Sequence, residues 1–177
     1  MRVIAGSLGG RILAAPKGRS TRPTSDRVRE AVFSILGDLS GLVVLDLYAG
    51  SGALAIEALS RGAAEATLVD SAPAAITAIR RNLTGLGLEA QVRRQDASAF
   101  LRTASRGAPH YDLVFLDPPY RHPSELGGEL SAALAPVLTP GARVVAESDR
   151  RAPLRLDLPL LDERHYGDTL ILIHGPR

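Results

Sequence analysis

The sequence contains no cysteine and a single lysine, and its four histidines show no metal-ligand spacing. Without thiols, neither a disulfide framework nor a thiolate metal site can form. No apolar run approaches the roughly 20 residues that a membrane-spanning helix needs. The first residues, "MRVIAGSLGGRIL", also lack the continuous apolar stretch of a secretory signal. These features predict a cytoplasmic protein that holds no metal.

Positive charge is concentrated at the start of the chain. Residues 1–30 carry a formal charge of +5, whereas the remaining residues carry −3. A basic segment on a mildly acidic body favours a polyanionic partner such as nucleic acid. The alternative is a solvated surface in a chain that uses arginine heavily.

The 177 residues suit one domain in which apolar strands alternate with helical segments. Strands are predicted at 42–48, 66–70, 90–96, 112–117 and 142–149. Helices are predicted at 52–62, 72–87, 97–105 and 124–138. This alternation predicts a parallel sheet with helices on both faces. Two strand-like runs within 160–175 flank a turn at Gly167 and Asp168, which adds an antiparallel hairpin and makes seven strands.

The start of the chain departs from this alternation. "RVIAG" and "GRILAAP" flank "SLGG" and predict a small β-hairpin. Residues 25–36 predict an amphipathic helix that Ser25 caps. Its expected buried face consists of Val28, Ala31, Val32, Ile35 and Leu36. We therefore predict a basic N-terminal hairpin or arm over 1–24 and the main domain over 25–177.

A glycine-rich loop follows the first strand of the predicted sheet. In "DLYAGSGALA" (46–55), Gly50, Gly52 and Ala55 fit a dinucleotide-binding pattern, with Asp70 at the spacing of a ribose-binding acid. The loop alone would therefore fit a nicotinamide-dependent oxidoreductase. Asp46 at its mouth argues against that ligand, because a carboxylate there would repel a pyrophosphate.

Carboxylates end four successive predicted parallel strands, and such ends meet at one edge of a sheet. These residues are Asp46, Asp70, Asp96 and Asp117. An acidic edge with close backbone approach at the glycines suits a cationic ligand without phosphate, such as S-adenosylmethionine. Asp70 would accept from the ribose hydroxyls and Asp96 from the adenine amine. The alternative for each acid is a helix cap or a solvated loop.

The fourth strand ends in "DPPY", Asp117 to Tyr120. Both prolines fix φ and lack an N–H, so the turn offers hydrogen-bond acceptors only. The Asp117 carboxylate and the Pro118 carbonyl would hold the two N–H groups of an exocyclic amine on a nucleobase. Tyr120 would stack on the ring. The stretch thus indicates an amino-methyltransferase in which positioning is the main catalytic device.

These residues resemble a known group. "VLDLYAGSGALAIEALSRGA" followed by "DPPY" resembles the Rossmann-like class I amino-methyltransferases. "RVIAGSLGGRIL", "RPTSDRVREAVFSIL" and "HYGDTLILI" are similar to the bacterial family that methylates guanine N2 in 16S small-subunit ribosomal RNA. This resemblance runs from near residue 2 to near residue 174. It implies S-adenosylmethionine as methyl donor, a small ribosomal subunit or its assembly intermediate as substrate, and a monomeric cytoplasmic enzyme.

The resemblance also implies roles for individual residues. The methionine side of the cofactor would be lined by Asp46, Tyr48, Gly50 and Gly52. The ribose would meet Asp70, and the adenine would be bordered by Asp96 and Ala97. The base would be held by Asp117, Pro118, Pro119 and Tyr120. Either the cofactor carboxylate or the RNA would be reached by Thr24 and Arg27, unless these two residues only cap or flank the helix at 25–36.

Basic residues near the predicted catalytic mouth are candidates for RNA phosphates. They are Arg2, Arg11, Lys17, Arg19, Arg22 and Arg121. Two other functions stay open besides guanine-N2 transfer. An adenine-N6 methyltransferase of RNA or DNA would carry the same "DPPY", and an RNA-binding protein without activity would share the basic segment but would not need Asp117.

Overall fold

The computed structural model describes residues 1–16, 25–105, 107, 110–119 and 123–176, with side chains from 126 onward in the last range. Its strands are β1 (Val43–Leu47), β2 (Glu65–Asp70), β3 (Gln91–Arg94), β4 (Tyr111–Leu116), β5 (Leu138–Asp149), β6 (Leu160–Tyr166) and β7 (Thr169–His174). Its helices are α1 (Asp26–Leu36), α2 (Ala53–Ser60), α3 (Pro73–Leu86), α4 (Ala97–Ala104) and α5 (Pro123–Leu134). None of the helices in these described ranges is long and apolar enough to cross a membrane.

The seven strands form one sheet in the order β3-β2-β1-β4-β5-β7-β6. The first five strands pair in parallel, and β7 is antiparallel to both β5 and β6. The predicted parallel sheet with a C-terminal antiparallel hairpin is therefore confirmed. The polar strand β3 lies at one edge of the sheet.

The junction between the last helix and β5 differs most from the prediction. The last helix was expected to run to residue 138, but α5 ends at Leu134 and a single 3-10 turn covers Ala135–Val137. Pro136 explains this end, because a proline inside an α-helix removes a hydrogen bond and clashes with the preceding turn. β5 then begins at Leu138, earlier than the expected residue 142.

Apolar side chains of the sheet pack into two hydrophobic cores, one on each face of the sheet. Helices α1, α2 and α3 cover one face, together with Val44, Phe115 and Val145 of the sheet. Helices α4 and α5 cover the other face, with Leu45 and Val114. Successive strand residues alternate between faces, so each strand end presents its polar residues to a defined side.

Residues 1–16 form an irregular hairpin, with one antiparallel bridge between Arg2 and Ile12, that packs against the first face. The buried Glu57 of α2 accepts the backbone N–H groups of Ile4 and Ala5, at 2.6 and 3.0 Å. A Cβ on Gly6 would overlap the carbonyl of Ser60, so this close approach requires glycine. The hairpin is thus anchored to the main domain, while the proposed division at residue 24 lies outside the described residues.

The buried face of α1 differs in part from the expected one. Ser25 caps the helix as predicted, accepting from the Val28 amide. Arg29 and Phe33 are buried, whereas Ile35 is exposed and Ala31 is only half-buried. Two Arg29 contacts explain its burial, because Nη2 donates to the Arg2 carbonyl at 2.5 Å and to the Asp26 carboxylate at 2.8 Å.

Candidate active site

The glycine loop leaves the carboxyl end of β1 and enters α2. Gly52 has a φ of +78° and precedes the first turn of α2. An added Cβ on Gly52 would lie 2.8 Å from Cδ2 of Leu68. Both the positive φ and this close contact therefore disfavour any residue other than glycine at position 52. Gly52 therefore packs closely against the core, while Gly50 in the same loop is half-buried.

Asp70, the last residue of β2, holds this loop in place. Its two carboxylate oxygens accept from the Gly50 amide at 2.9 Å and from the Ala72 amide at 2.8 Å. Asp70 is buried, so both bonds are formed away from solvent. The acid predicted to meet a ribose thus also sets the path of the glycine loop.

Asp46 lies one residue before the end of β1 and is only 2% exposed. One of its carboxylate oxygens accepts from the Ala55 amide in the first turn of α2, at 3.1 Å. Burial raises the pKa of Asp46 to about 7; the bond from Ala55 opposes this rise, and the charge of Asp70 adds to it. A cationic ligand beside Asp46 would reverse this cost by favouring the ionised carboxylate.

Tyr48 follows β1 in a left-handed conformation, with a φ of +61°. Such a conformation is uncommon for a residue with a bulky side chain. Its ring packs toward the core under α4 and α5. Burial raises the pKa of Tyr48 to about 12, helped by the charges of Asp96 and Glu129. The structure thus brings Tyr48 close to Asp96 across the sheet edge.

Asp96 follows β3 and caps α4, accepting from the Ala99 amide at 3.0 Å. Its side chain is exposed, whereas the adjacent Ala97 is buried. The predicted adenine-facing pair therefore lies at the first turn of a helix. The capping alternative and the binding role coexist in this acid, because a carboxylate has several acceptor positions.

Asp117 directly follows β4, whose Leu116 pairs with Leu47 of β1 and with Ala146 of β5. The carboxylate is half-buried, Pro118 is buried and Pro119 is exposed. Burial raises the pKa of Asp117 well above its usual range, and the charges of Glu147 and Asp46 raise it further. Tyr120 and Arg121, predicted to stack on the base and to contact phosphate, lie outside the described residues.

Glu147 is a carboxylate at this edge that the sequence interpretation did not single out. It lies in β5 one residue after Ala146, so it stands beside Asp117 in register, and it is 7% exposed. The signal was present in "ARVVAESD", where an acid interrupts an apolar strand near its carboxyl end. Only the pairing of β4 with β5 shows that this acid neighbours Asp117.

The basic candidates fall into two groups. Arg11 is exposed and donates to the Gly85 carbonyl of α3 at 3.3 Å, and Arg2 is paired with Asp26 at 3.3 Å while its side chain stays 65% exposed. Arg27 is exposed on α1. The remaining basic candidates lie outside the described residues, as does Thr24: they are Lys17, Arg19, Arg22 and Arg121. Buried Arg29, counted in the basic segment, is not available to a large polyanion.

The sheet order, the antiparallel β7, the glycine loop after β1 and the acids at the strand ends together define a Rossmann-like S-adenosylmethionine-dependent methyltransferase. The predicted fold class is therefore confirmed. More specifically, the chain belongs to the family described as Conserved hypothetical protein 95, whose family model matches residues 1–174.

Individual relatives agree with this membership. The chain is 40% identical over 188 residues to "Putative rRNA methyltransferase YlbH" of Bacillus subtilis, covering 100% of both chains. It is 44% identical over 123 residues to Ribosomal RNA small subunit methyltransferase D of Escherichia coli, covering 68% of this chain and 61% of that protein. The solved structure of hypothetical protein TTHA0928 of Thermus thermophilus matches with a TM-score of 0.86 at 31% identity, over 99% of each chain.

Proposed function

We propose that this protein transfers a methyl group from S-adenosylmethionine to the N2 amine of a guanine in 16S small-subunit ribosomal RNA. The observation that carries the proposal is the meeting, at one sheet edge, of the glycine loop with the Asp117-Pro118-Pro119 turn. A site for the methyl donor thus lies beside a turn that offers only hydrogen-bond acceptors, and this arrangement fits methyl transfer to an amine.

The residues around the loop fit S-adenosylmethionine, which supplies the methyl group on a sulfonium. Buried Asp46, with its pKa raised to about 7, favours a positively charged neighbour. Gly50 and Gly52 are assigned to the loop that the ligand approaches. Space is open beside Gly50, where a Cβ would meet nothing closer than 3.9 Å, whereas at Gly52 it would meet Leu68 of the core. Tyr48 is assigned to the methionine side, Asp70 to the ribose, and Asp96 with Ala97 to the adenine.

Asp117 and the Pro118 carbonyl are assigned to the two N–H groups of the target amine. Held in this way, the nitrogen lone pair is directed at the methyl group, and positioning supplies most of the rate enhancement. The methylated nitrogen then loses its extra proton to solvent, so Asp117 need not keep it. Tyr120 is assigned to stacking on the base, with Pro119 fixing the turn that carries it.

Small-subunit ribosomal RNA is favoured as the substrate by family membership, since a relative sharing 44% identity is named "Ribosomal RNA small subunit methyltransferase D". Adenine-N6 transfer is the alternative, because it would use the same Asp-Pro-Pro-Tyr turn. The described part of the chain offers little that resembles a base-reading module, which fits recognition of a folded particle by shape.

The RNA would be held by basic side chains around the mouth of the site. Phosphate contacts are assigned to Arg2, Arg11, Lys17, Arg19, Arg22 and Arg121. Because Glu57 anchors the hairpin, the backbone that carries Arg2 and Arg11 is held against the main domain. We further propose a cytoplasmic monomer that acts on the small subunit or its assembly intermediate.

The test offers labelled S-adenosylmethionine and the protein to unmodified small ribosomal subunits, bare ribosomal RNA and duplex DNA in parallel. Each product is then digested to nucleosides, and the labelled nucleoside is identified. We expect N2-methylguanosine from a ribosomal substrate, and the preferred substrate form identifies the partner.

Label in N6-methyladenine would keep the site but replace the substrate by the alternative. Absence of label on all three, with cofactor binding intact, would reject the finished small subunit, bare ribosomal RNA and duplex DNA as acceptors. A matched Asp117→Ala protein serves as the control for label that does not depend on the site.

A further inference from the structure

Glu147 is a buried acid that the transfer chemistry above does not use. Leu116 of β4 pairs with Ala146 of β5, so Asp117 and Glu147 are the next residues along two strands that run about 4.8 Å apart. Phe115 and Val145, two residues earlier in each strand, both belong to the core under α1, α2 and α3. Because side chains alternate between faces, Asp117 and Glu147 belong to the same side of the sheet.

The charge of Glu147 acts on the Asp117 carboxyl group. Among the neighbouring charges that raise the pKa of Asp117, Glu147 contributes more than Asp46. Two adjacent carboxylates in a half-buried site repel, and a ligand that offers N–H groups on neighbouring atoms relieves that repulsion. Such a ligand must present one donor to each acid.

The amide edge of guanine has this pattern, because the ring N1–H lies next to the exocyclic N2 amine. Adenine differs at the corresponding place, since its N6 amine lies next to an N1 that carries a lone pair and no hydrogen. An acid beside Asp117 therefore suits guanine and opposes adenine.

We propose that Glu147 accepts the N1–H of the target guanine while Asp117 holds the N2 amine, so that Glu147 determines the choice of guanine. The proposal rests on the proposed function and names the group that selects its substrate. A site built to bind a donor discriminates against an analogue that lacks it, because the hydrogen bond to the buried acceptor is then not formed.

The test uses small subunits that carry either guanine or 2-aminopurine at the position mapped by the labelling experiment. 2-Aminopurine keeps the amine on C2 but has no hydrogen on N1. Single-turnover rates on both substrates are measured for the wild type, Glu147→Gln and Glu147→Asp. Asp149→Asn is the matched control, because this substitution also removes a charge from β5. Asp149 accepts from the Arg151 amide, away from the turn.

We expect the wild type and Asp149→Asn to prefer guanine by about 10- to 100-fold. Glu147→Gln should narrow this ratio to within about threefold, because an amide can either accept from or donate to N1. Glu147→Asp should also narrow it, since its carboxylate is shorter by one methylene, and it replaces Glu147→Gln if that variant does not fold.

Equal wild-type rates on guanine and 2-aminopurine would overturn the assignment of Glu147. If both Glu147 variants fold and keep the wild-type ratio of the rate on guanine to the rate on 2-aminopurine, the assignment is overturned as well. Failure of the wild type on the guanine substrate is a separate result, because it rejects the proposed function and not the role of Glu147 within it.

Discussion

Two pairs of acids share the sheet edge, and their surroundings differ. Asp46 and Asp70, at the ends of β1 and β2, are the two acids that we assign to the cofactor, and we call them the cofactor pair. Their carboxylates accept backbone N–H groups of the glycine loop and of α2. Asp117 and Glu147, near the ends of β4 and β5, are the second pair, and we call them the turn acids. There the pKa of Asp117 is raised by burial and by the charge of its partner acid.

The difference shows how one kind of side chain serves two purposes at one edge. Backbone amides hold the cofactor pair in place, so these acids shape the loop whether or not a ligand is bound. The turn acids instead place two carboxyl groups side by side, and the repulsion between their charges favours a ligand with N–H donors. We therefore expect mutations of the first pair to affect stability and mutations of the second to affect transfer.

The largest effect is expected from Asp117→Ala. Loss of the amine acceptor should lower the single-turnover transfer rate by about 10³-fold, because the nitrogen is no longer oriented. Affinity for S-adenosylhomocysteine should change little, since the cofactor pair is intact. Asp117→Asn keeps one acceptor oxygen and should lose less. A transfer rate close to wild type in Asp117→Ala would reject the amine-holding role.

The next largest effect concerns the pH dependence of stability. The pKa of Asp46 is about 7 in the folded protein, above its usual value of 3.8, so the folded state binds more protons between these values. The free energy of unfolding therefore falls as pH rises from about 4 to about 7. Asp46→Asn should remove on the order of 4 kcal/mol of that fall.

Denaturant unfolding of both proteins from pH 4 to pH 8 measures this difference. Asparagine keeps an oxygen that can accept the Ala55 amide, so the comparison isolates the charge. The difference between the two stabilities should grow with pH and level off above pH 7. Parallel curves would mean that Asp46 is not destabilised in the folded state.

Asp70→Ala tests the loop-holding role of the cofactor pair. Two backbone amides, of Gly50 and Ala72, would lose their acceptors, and unfolding should become easier by about 2–3 kcal/mol. Asp70→Asn retains one acceptor and should lose roughly half as much. Stability within experimental error of the wild type would show that the loop keeps its path without Asp70.

The smallest effect compares two glycines with similar backbone conformation. Gly52 has a φ of +78° and Gly87, at the end of α3, has a φ of +66°. A Cβ meets Leu68 at Gly52, whereas Gly87 has open space around it. Gly52→Ala should therefore cost about 1–2 kcal/mol more than Gly87→Ala, measured by denaturant unfolding. Equal costs would mean that Leu68 moves aside freely.

Much of the fold followed from local patterns. The alternation of apolar strands and helices predicted every strand of the sheet, and the turn at Gly167 and Asp168 predicted the antiparallel hairpin, because a turn that short permits no parallel connection. Ser25 was identified as a cap from its residue type and position. The acids at the strand ends were visible for the same reason, since a parallel sheet gathers them at one edge.

Other features depended on contacts between distant parts of the chain. Arg29 is buried because Asp26 and the Arg2 carbonyl receive its guanidinium, which an amphipathic pattern on α1 alone would not predict. Glu57 is buried inside an otherwise apolar helix because the hairpin brings Ile4 and Ala5 to it. Asp26 is only three residues from Arg29, but the Arg2 carbonyl and the hairpin amides are distant in sequence from the side chains that they meet.

The sequence by itself determined the kinds of elements, the glycine loop and the row of acids, because helix and strand periods and turn preferences are properties of neighbouring residues. Only the tertiary structure decided which acids meet, because strand order and register pair residues that are far apart along the chain. Glu147 is the clearest case, since its place beside Asp117 follows from the pairing of β4 with β5 and from the shared face of the sheet.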